Sequence, residues 1–155
     1  MKFLIFVLFV GVLQAQALDL KKEISSLEVL SENTPSLEQI ISEKQELIVV
    51  DFWASWCEPC KESFKFYGDI LKKYKKKKIL FLSVNLDDDK GAAIKFLKEQ
   101  NHGFLNLWDK NKILMKTLSF EVIPHIVLLS TDWQIKDNIK GFNNSTKAKF
   151  KKWLE

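Results

Sequence analysis

The sequence predicts an α/β fold: a sheet with a parallel core, covered by helices on both faces and closed at one edge by a hairpin. Three observations carry it. Glu46–Trp53 and Ile79–Leu86 are near-continuous apolar runs rich in β-branched and aromatic residues, as strands buried on both faces require. Each is followed by a stretch with helical spacing of apolar residues, so strands and helices alternate. Only 5 Gly and 3 Pro occur among 155 residues, too few for the frequent special dihedrals of a many-turned all-β design.

At the N-terminus, Lys2 precedes the apolar run Phe3–Leu13 and the small-x-small triplet Ala15-Gln16-Ala17, which reads as a secretory signal cleaved after Ala17. Its eleven residues reach only about 17 Å as a helix, short of a ~30 Å hydrocarbon core. An uncleaved anchor is the alternative. Export places the chain in a periplasm-like compartment where disulfides persist. The expected organisation is therefore 1–17 signal peptide and 18–155 a single domain, consistent with one compact unit per ~150 residues. Cleavage removes Lys2 and no acid, so the formal charge falls from +4 to +3. That excess is too small for a nucleic-acid footprint.

Within 18–155, Leu27–Leu30 is a short strand candidate. Thr34 as N-cap and Pro35 at the first helical position mark a helix start. Strand Glu46–Trp53 leads into a helix over Lys61–Tyr74, whose lysine-rich end Lys72–Lys78 complements the helix dipole. Strand Ile79–Leu86 is followed by Asp87-Asp88-Asp89, placing acids at the start of the next helix. Phe104–Trp108 reads as a short strand, Asp109–Leu118 as a turn and helix, and Ile126–Leu129 as a strong strand entered through Ile123-Pro124. Thr131-Asp132-Trp133 turns the chain into Gln134–Ile139 as a hairpin, and a basic helix with Ala148, Phe150, Trp153 and Leu154 closes the chain.

The chemistry lies in Trp53-Ala54-Ser55-Trp56-Cys57-Glu58-Pro59-Cys60-Lys61, a C-x-x-C at a strand-to-helix junction. The positive end of a helix stabilises a thiolate in its first turn, which singles out Cys57 as the attacking or leaving sulfur. Cys60, one turn on, can close the ring and release a mixed disulfide. Pro59 sits where a helix loses no donor. A zinc site needs four ligands, and beyond this pair the chain offers only His102 and His125. A purely structural disulfide closes too short a loop to contribute much stability.

The run Val49–Lys61 resembles the active-site strand and helix start of thioredoxins, and Ile123-Pro124 is similar to the cis-proline dipeptide facing the sulfurs in that fold. The Cys-Glu-Pro-Cys pair, the export segment and the extra helix and strand between Asp87 and Leu118 narrow the resemblance to TlpA/ResA/CcmG-like thioredoxins. This implies a thioredoxin-like fold: a central mixed sheet, helices on both faces, and a strand-helix insertion before the cis-proline strand. It also implies an exported thiol:disulfide oxidoreductase acting as a reductant. Cys57 is its nucleophile, Cys60 the resolving thiol and Asp51 the buried acid that handles the Cys60 proton. Pro124 lies in the substrate groove, with Trp56, Glu58, Pro59 and Ile123 lining it. Beyond the Cys57–Cys60 disulfide no cofactor is expected. The implied partners are disulfide-bearing proteins, apocytochrome c among them, and a membrane thiol-transporting electron donor; a monomer is expected.

Buried in the run Ile48–Trp53, the Asp51 carboxyl would be pushed up by desolvation, as a proton acceptor near neutral pH requires. Its alternative is a strand-start aspartate facing solvent. ResA-like members often carry a glutamate three residues after the second cysteine. That place is Ser63, and one step along a helix turns Glu62 ~100° away, leaving Asp51 to supply the acid alone. Glu58 adds negative charge that opposes thiolate formation and favours a reducing pair. Two rival readings remain: an oxidant or isomerase, and a copper-binding metallochaperone using Cys57, Cys60 and His125. Trp56 offers an apolar rim to a client, and Trp53 reads as core.

Overall fold

The computed structural model describes residues 20–30, 36–100 and 103–155. The expected signal peptide, Thr34, Pro35 and His102 lie outside the described residues.

Six strands form one mixed sheet in the order β1-β4-β3-β2-β5-β6. They are β1 (Glu28–Val29), β2 (Leu47–Trp53), β3 (Ile79–Asn85), β4 (Leu105–Trp108), β5 (His125–Leu129) and β6 (Ile135–Lys140). β2, β3 and β4 run parallel, whereas β5 pairs antiparallel with β2, β6 with β5, and β1 with β4. The apolar runs therefore occupy the centre, and the short or alternating strands lie towards the edges. The helices are α1 (described over 20–25), α2 (Leu37–Ser42), α3 (Glu58–Lys73), α4 (Lys90–Glu99), α5 (Ile113–Thr117) and α6 (Asn144–Leu154). Insertion of α4, β4 and α5 before β5 matches the expected topology.

Successive side chains on a strand point to opposite faces, so β2 divides the core in two. Ile48, Val50 and Phe52 meet Leu20 and Ile24 of α1, Leu37 and Ile41 of α2, and Leu114 of α5. Val49 and Trp53 meet Cys60, Phe64 and Tyr67 of α3, with Phe96 of α4 and Phe150 of α6. On this second face Phe64 holds Trp53 at 4.9 Å, Phe96 at 5.3 Å and Phe104 at 5.5 Å between ring centroids, all edge-to-face.

The boundaries shift where capping chemistry decides them. Helix α2 is capped by Ser36, not Thr34: its Oγ accepts the Gln39 N–H and Gln39 Oε1 accepts the Ser36 N–H, both at 3.2 Å, a reciprocal box that fixes the start. Helix α3 begins at Glu58, three residues earlier than expected, because Cys57 itself is the N-cap. Of the three consecutive acids only Asp89 caps α4, accepting the Gly91 N–H at 2.9 Å; Asp88 pairs with Lys112 and Asp87 is buried. Helix α1 was not anticipated, although the buried Leu20 and Ile24 lie one turn apart.

Truncating Phe64 to Ala should lower the unfolding free energy by about 3–5 kcal/mol in urea titrations, through the cavity left among Trp53, Phe96 and Phe104. Ile135→Thr on the exposed edge of β6 should stay within about 0.5 kcal/mol.

Candidate active site

Cys57 and Cys60 are joined by a disulfide at the start of α3. Pro59 fills the second position of the helix, where no N–H is needed, and Cys60 N–H donates to the Cys57 carbonyl at 3.0 Å. Cys57 is 5 % exposed and Cys60 fully buried, so Cys57 is the more accessible of the pair. Trp56 stands beside it, 73 % exposed. Glu58 is exposed and pairs with Lys61 Nζ at 2.7 Å, so its charge is partly offset and water-screened. The Ile123-Pro124 peptide is cis; Pro124 is buried and Ile123 half-buried.

Asp51 does not face solvent. It alternates with Val49 and Trp53 on the face of the sheet that packs α3, and it is 0 % exposed. Neither carboxyl oxygen has a hydrogen-bond partner among the described residues. Burial pushes its pKa up to about 8, because the anion would be stranded without water or a donor. Tyr67 on α3 is also raised, first by its own burial and then by Asp51.

Ser83 lies directly across from Asp51 in the β2–β3 register, is fully buried, and its hydroxyl also lacks a partner among the described residues. Neither Tyr67 nor Ser83 was singled out from the sequence. Tyr67 follows Cys60 and Phe64 at helical spacing, and Ser83 interrupts its apolar run at the fifth residue of β3, as Asp51 does in β2.

Glu62 is exposed, whereas Ser63 is buried and its Oγ donates to the Cys60 carbonyl at 2.9 Å. No second acid therefore enters this layer from the helix start.

His125 does not join the sulfurs. It pairs with Phe52 across β2 and β5, so its ring lies on the opposite face from α3. It stacks on Phe120 at 4.2 Å and 4° between planes. Burial, with Lys140 adding to it, lowers its pKa to about 4 and keeps it neutral. Trp53 is core, as expected. Among the described residues no group of three or more His, Cys, Asp or Glu comes together to hold a metal, and no helix is long and apolar enough to cross a membrane.

Comparison with known proteins agrees with this fold. A family profile described as thioredoxin-like matches residues 45–135. The thiol-disulfide oxidoreductase ResA of Bacillus thuringiensis subsp. konkukian is 26% identical over 108 residues, covering 70% of this chain and 61% of the relative. The chain thus spans about three fifths of the length of such curated relatives. Among solved structures, a Chlorobium tepidum protein given the name thiol:disulfide interchange protein DsbE superposes with a TM-score of 0.70 at 26% identity, covering 84% of this chain and 92% of that one. StoA from Bacillus subtilis gives 0.63 at 25% identity, covering 74% and 87%.

An acid whose pKa is raised by folding binds its proton more tightly in the native state. Its contribution is harmless below pH ~4, grows unfavourable as pH rises towards 8, and is constant above that. Asp51→Asn should therefore stabilise the oxidised protein, with a gain in urea midpoint that widens between pH 5 and pH 8. A gain independent of pH would contradict the assignment.

Proposed function

This chain is a member of the thioredoxin-like family, and on that premise we propose that it is a thiol:disulfide oxidoreductase that reduces disulfides in partner proteins. The observation that carries the reading is the Cys57–Cys60 disulfide at the N-terminus of α3, with Asp51, which has no hydrogen-bond partner among the described residues, buried on the sheet face that packs that helix.

In the reduced protein the positive end of α3 favours the Cys57 thiolate. That thiolate attacks one sulfur of a client disulfide. The client S–S bond breaks, its other sulfur leaves as a thiolate and takes a proton, and a mixed disulfide with Cys57 remains. Cys60 then gives up its proton to the Asp51 carboxylate and attacks the Cys57 sulfur. The mixed bond breaks and the client departs with its second thiol. Two electrons have passed from Cys57 and Cys60 to the client. An aspartate titrating near 8 suits this task, because an ordinary carboxylate is too weak a base to take a thiol proton. Trp56, Glu58, Pro59, Ile123 and Pro124 form the surface against which the client chain lies.

The apolar run Phe3–Leu13 with Ala15-Gln16-Ala17 supports export, and so clients in an oxidising compartment. Apocytochrome c is the client class singled out by the TlpA/ResA/CcmG-like resemblance. A membrane thiol transporter is the proposed donor that restores the dithiol. Apart from the Cys57–Cys60 pair itself, the proposed chemistry uses no cofactor.

Equilibration of the purified protein against graded thiol buffers should give a reduction potential at or below about −270 mV; a value near about −120 mV would make it an oxidant. Cys60→Ser should accumulate the mixed disulfide with a reducible client, visible as a thiol-sensitive band on non-reducing gels, and Cys57→Ser should form none.

A further inference from the structure

Among the buried polar groups that the proposed reaction does not use, one is tied to the turn that leads into the disulfide. Asp87 follows β3, is 3 % exposed, and its carboxyl accepts the Ser55 backbone N–H with both oxygens, at 3.2 and 3.0 Å, and the Asn85 side-chain amide at 2.8 Å. Its own N–H donates to Asn85 Oδ1 at 3.0 Å, and its carbonyl accepts the Trp108 indole N–H at 2.8 Å. Leu86 N–H donates to the Trp53 carbonyl and Asp109 N–H to the Asn85 carbonyl, both at 2.9 Å. The ends of β2, β3 and β4 are thereby fastened into one bracket.

What the bracket holds is the turn Ala54–Cys57, closed by Cys57 N–H on the Ala54 carbonyl at 3.1 Å, with Ser55 and Trp56 at its centre. Cys57 has a further anchor that survives reduction: it is the N-cap of α3, its carbonyl accepting the Cys60 N–H at 3.0 Å. Ser55 is tied down by Asp87, and Trp56, largely exposed, rides on Ser55. Loss of the Asp87 carboxyl would loosen the Ser55–Trp56 pair more than the sulfurs.

We propose that Asp87 is a positioning residue that fixes the Ser55–Trp56 turn, and through it the Trp56 indole, as part of the surface that receives a protein disulfide. The inference rests on the reading of the chain as a reductant of protein disulfides, and it concerns client docking, not sulfur chemistry.

The test compares wild type, Asp87→Ala, Asp87→Asn, Trp56→Ala and the Asp87→Ala/Trp56→Ala double variant, all in the full domain and pre-reduced. Each is measured against insulin and against a small aryl disulfide that needs no docking surface. With the pre-reduced protein as the sole two-electron donor, Asp87→Ala should lose about tenfold in the single-turnover second-order rate constant on insulin, chiefly through weaker saturation, and stay within about twofold on the small disulfide. Asp87→Asn, which keeps an acceptor for Ser55 N–H, should recover most of the loss. In the Trp56→Ala background Asp87→Ala should cost nothing further. Should Asp87→Ala not fold, Ser55→Pro deletes the same hydrogen bond from the donor side and should show the same insulin-selective loss. Equal losses on both disulfides, additive losses in the double variant, or no loss at all would overturn the proposal. A wild-type protein that leaves insulin untouched would instead overturn the reductant reading itself.

Discussion

Strand β2 carries a carboxyl group into the middle of the core, where among the described residues it has no hydrogen-bond partner. Five of the seven residues of β2 are fully or almost fully buried hydrophobes, so Asp51 has no route to water along its own strand. Its neighbours across the sheet are Ser83 and Ile126, neither of them basic. An ionised carboxylate there would carry a large desolvation penalty, and the group avoids it by keeping its proton. One constraint, burial without compensation, thus turns an ordinary acid into a group that exchanges protons near neutral pH. Tyr67 shows the same field from the helix side, its own upward shift enlarged by Asp51.

The sheet decides which groups can act together. Alternation along β2 sends Asp51 to the face of α3 and the disulfide, and Phe52 to the other face with His125. A shift of one residue in register would exchange them. His125 is adjacent to Pro124 in sequence, yet its ring packs against Phe120 as an aromatic core residue. The polar layer by the sulfurs is correspondingly spare: Asp51 and Ser83 from the sheet, Ser63 and Tyr67 from α3. Towards the carboxyl ends of the parallel strands, Asn85, Asp87 and Trp108 replace apolar packing with directed hydrogen bonds, where the chain must turn sharply into the C-x-x-C.

Much of this was legible in the residues. β2 and β3 are continuous β-branched and aromatic runs that only a doubly covered strand accommodates, and Cys57-Glu58-Pro59-Cys60 combines its own helix start with its chemistry. The burial of Asp51 follows from its place in the run Ile48–Trp53. Other features depend on long-range partners that no local pattern contains. Asp87, Asp88 and Asp89 look alike as a run of acids, but only Asp89 caps the helix, while Asp87 turns back over 32 residues to Ser55. Thr34-Pro35 and Ser36 are competing start signals, and Gln39 three residues after Ser36 decides between them. The rival that groups His125 with the thiols draws on its adjacency to Pro124 in sequence, and only the β2–β5 register shows that it lies across the sheet.

The most direct test of the account is a titration of Asp51 itself. The side-chain carboxyl carbon resonance, followed by NMR in the oxidised protein from pH 4 to pH 10 and assigned by its disappearance in Asp51→Asn, should move with a midpoint near 8. A midpoint near 4, the value of an aspartate in water, would mean that the carboxyl is solvated or paired, and would remove the proton acceptor on which the proposed chemistry depends.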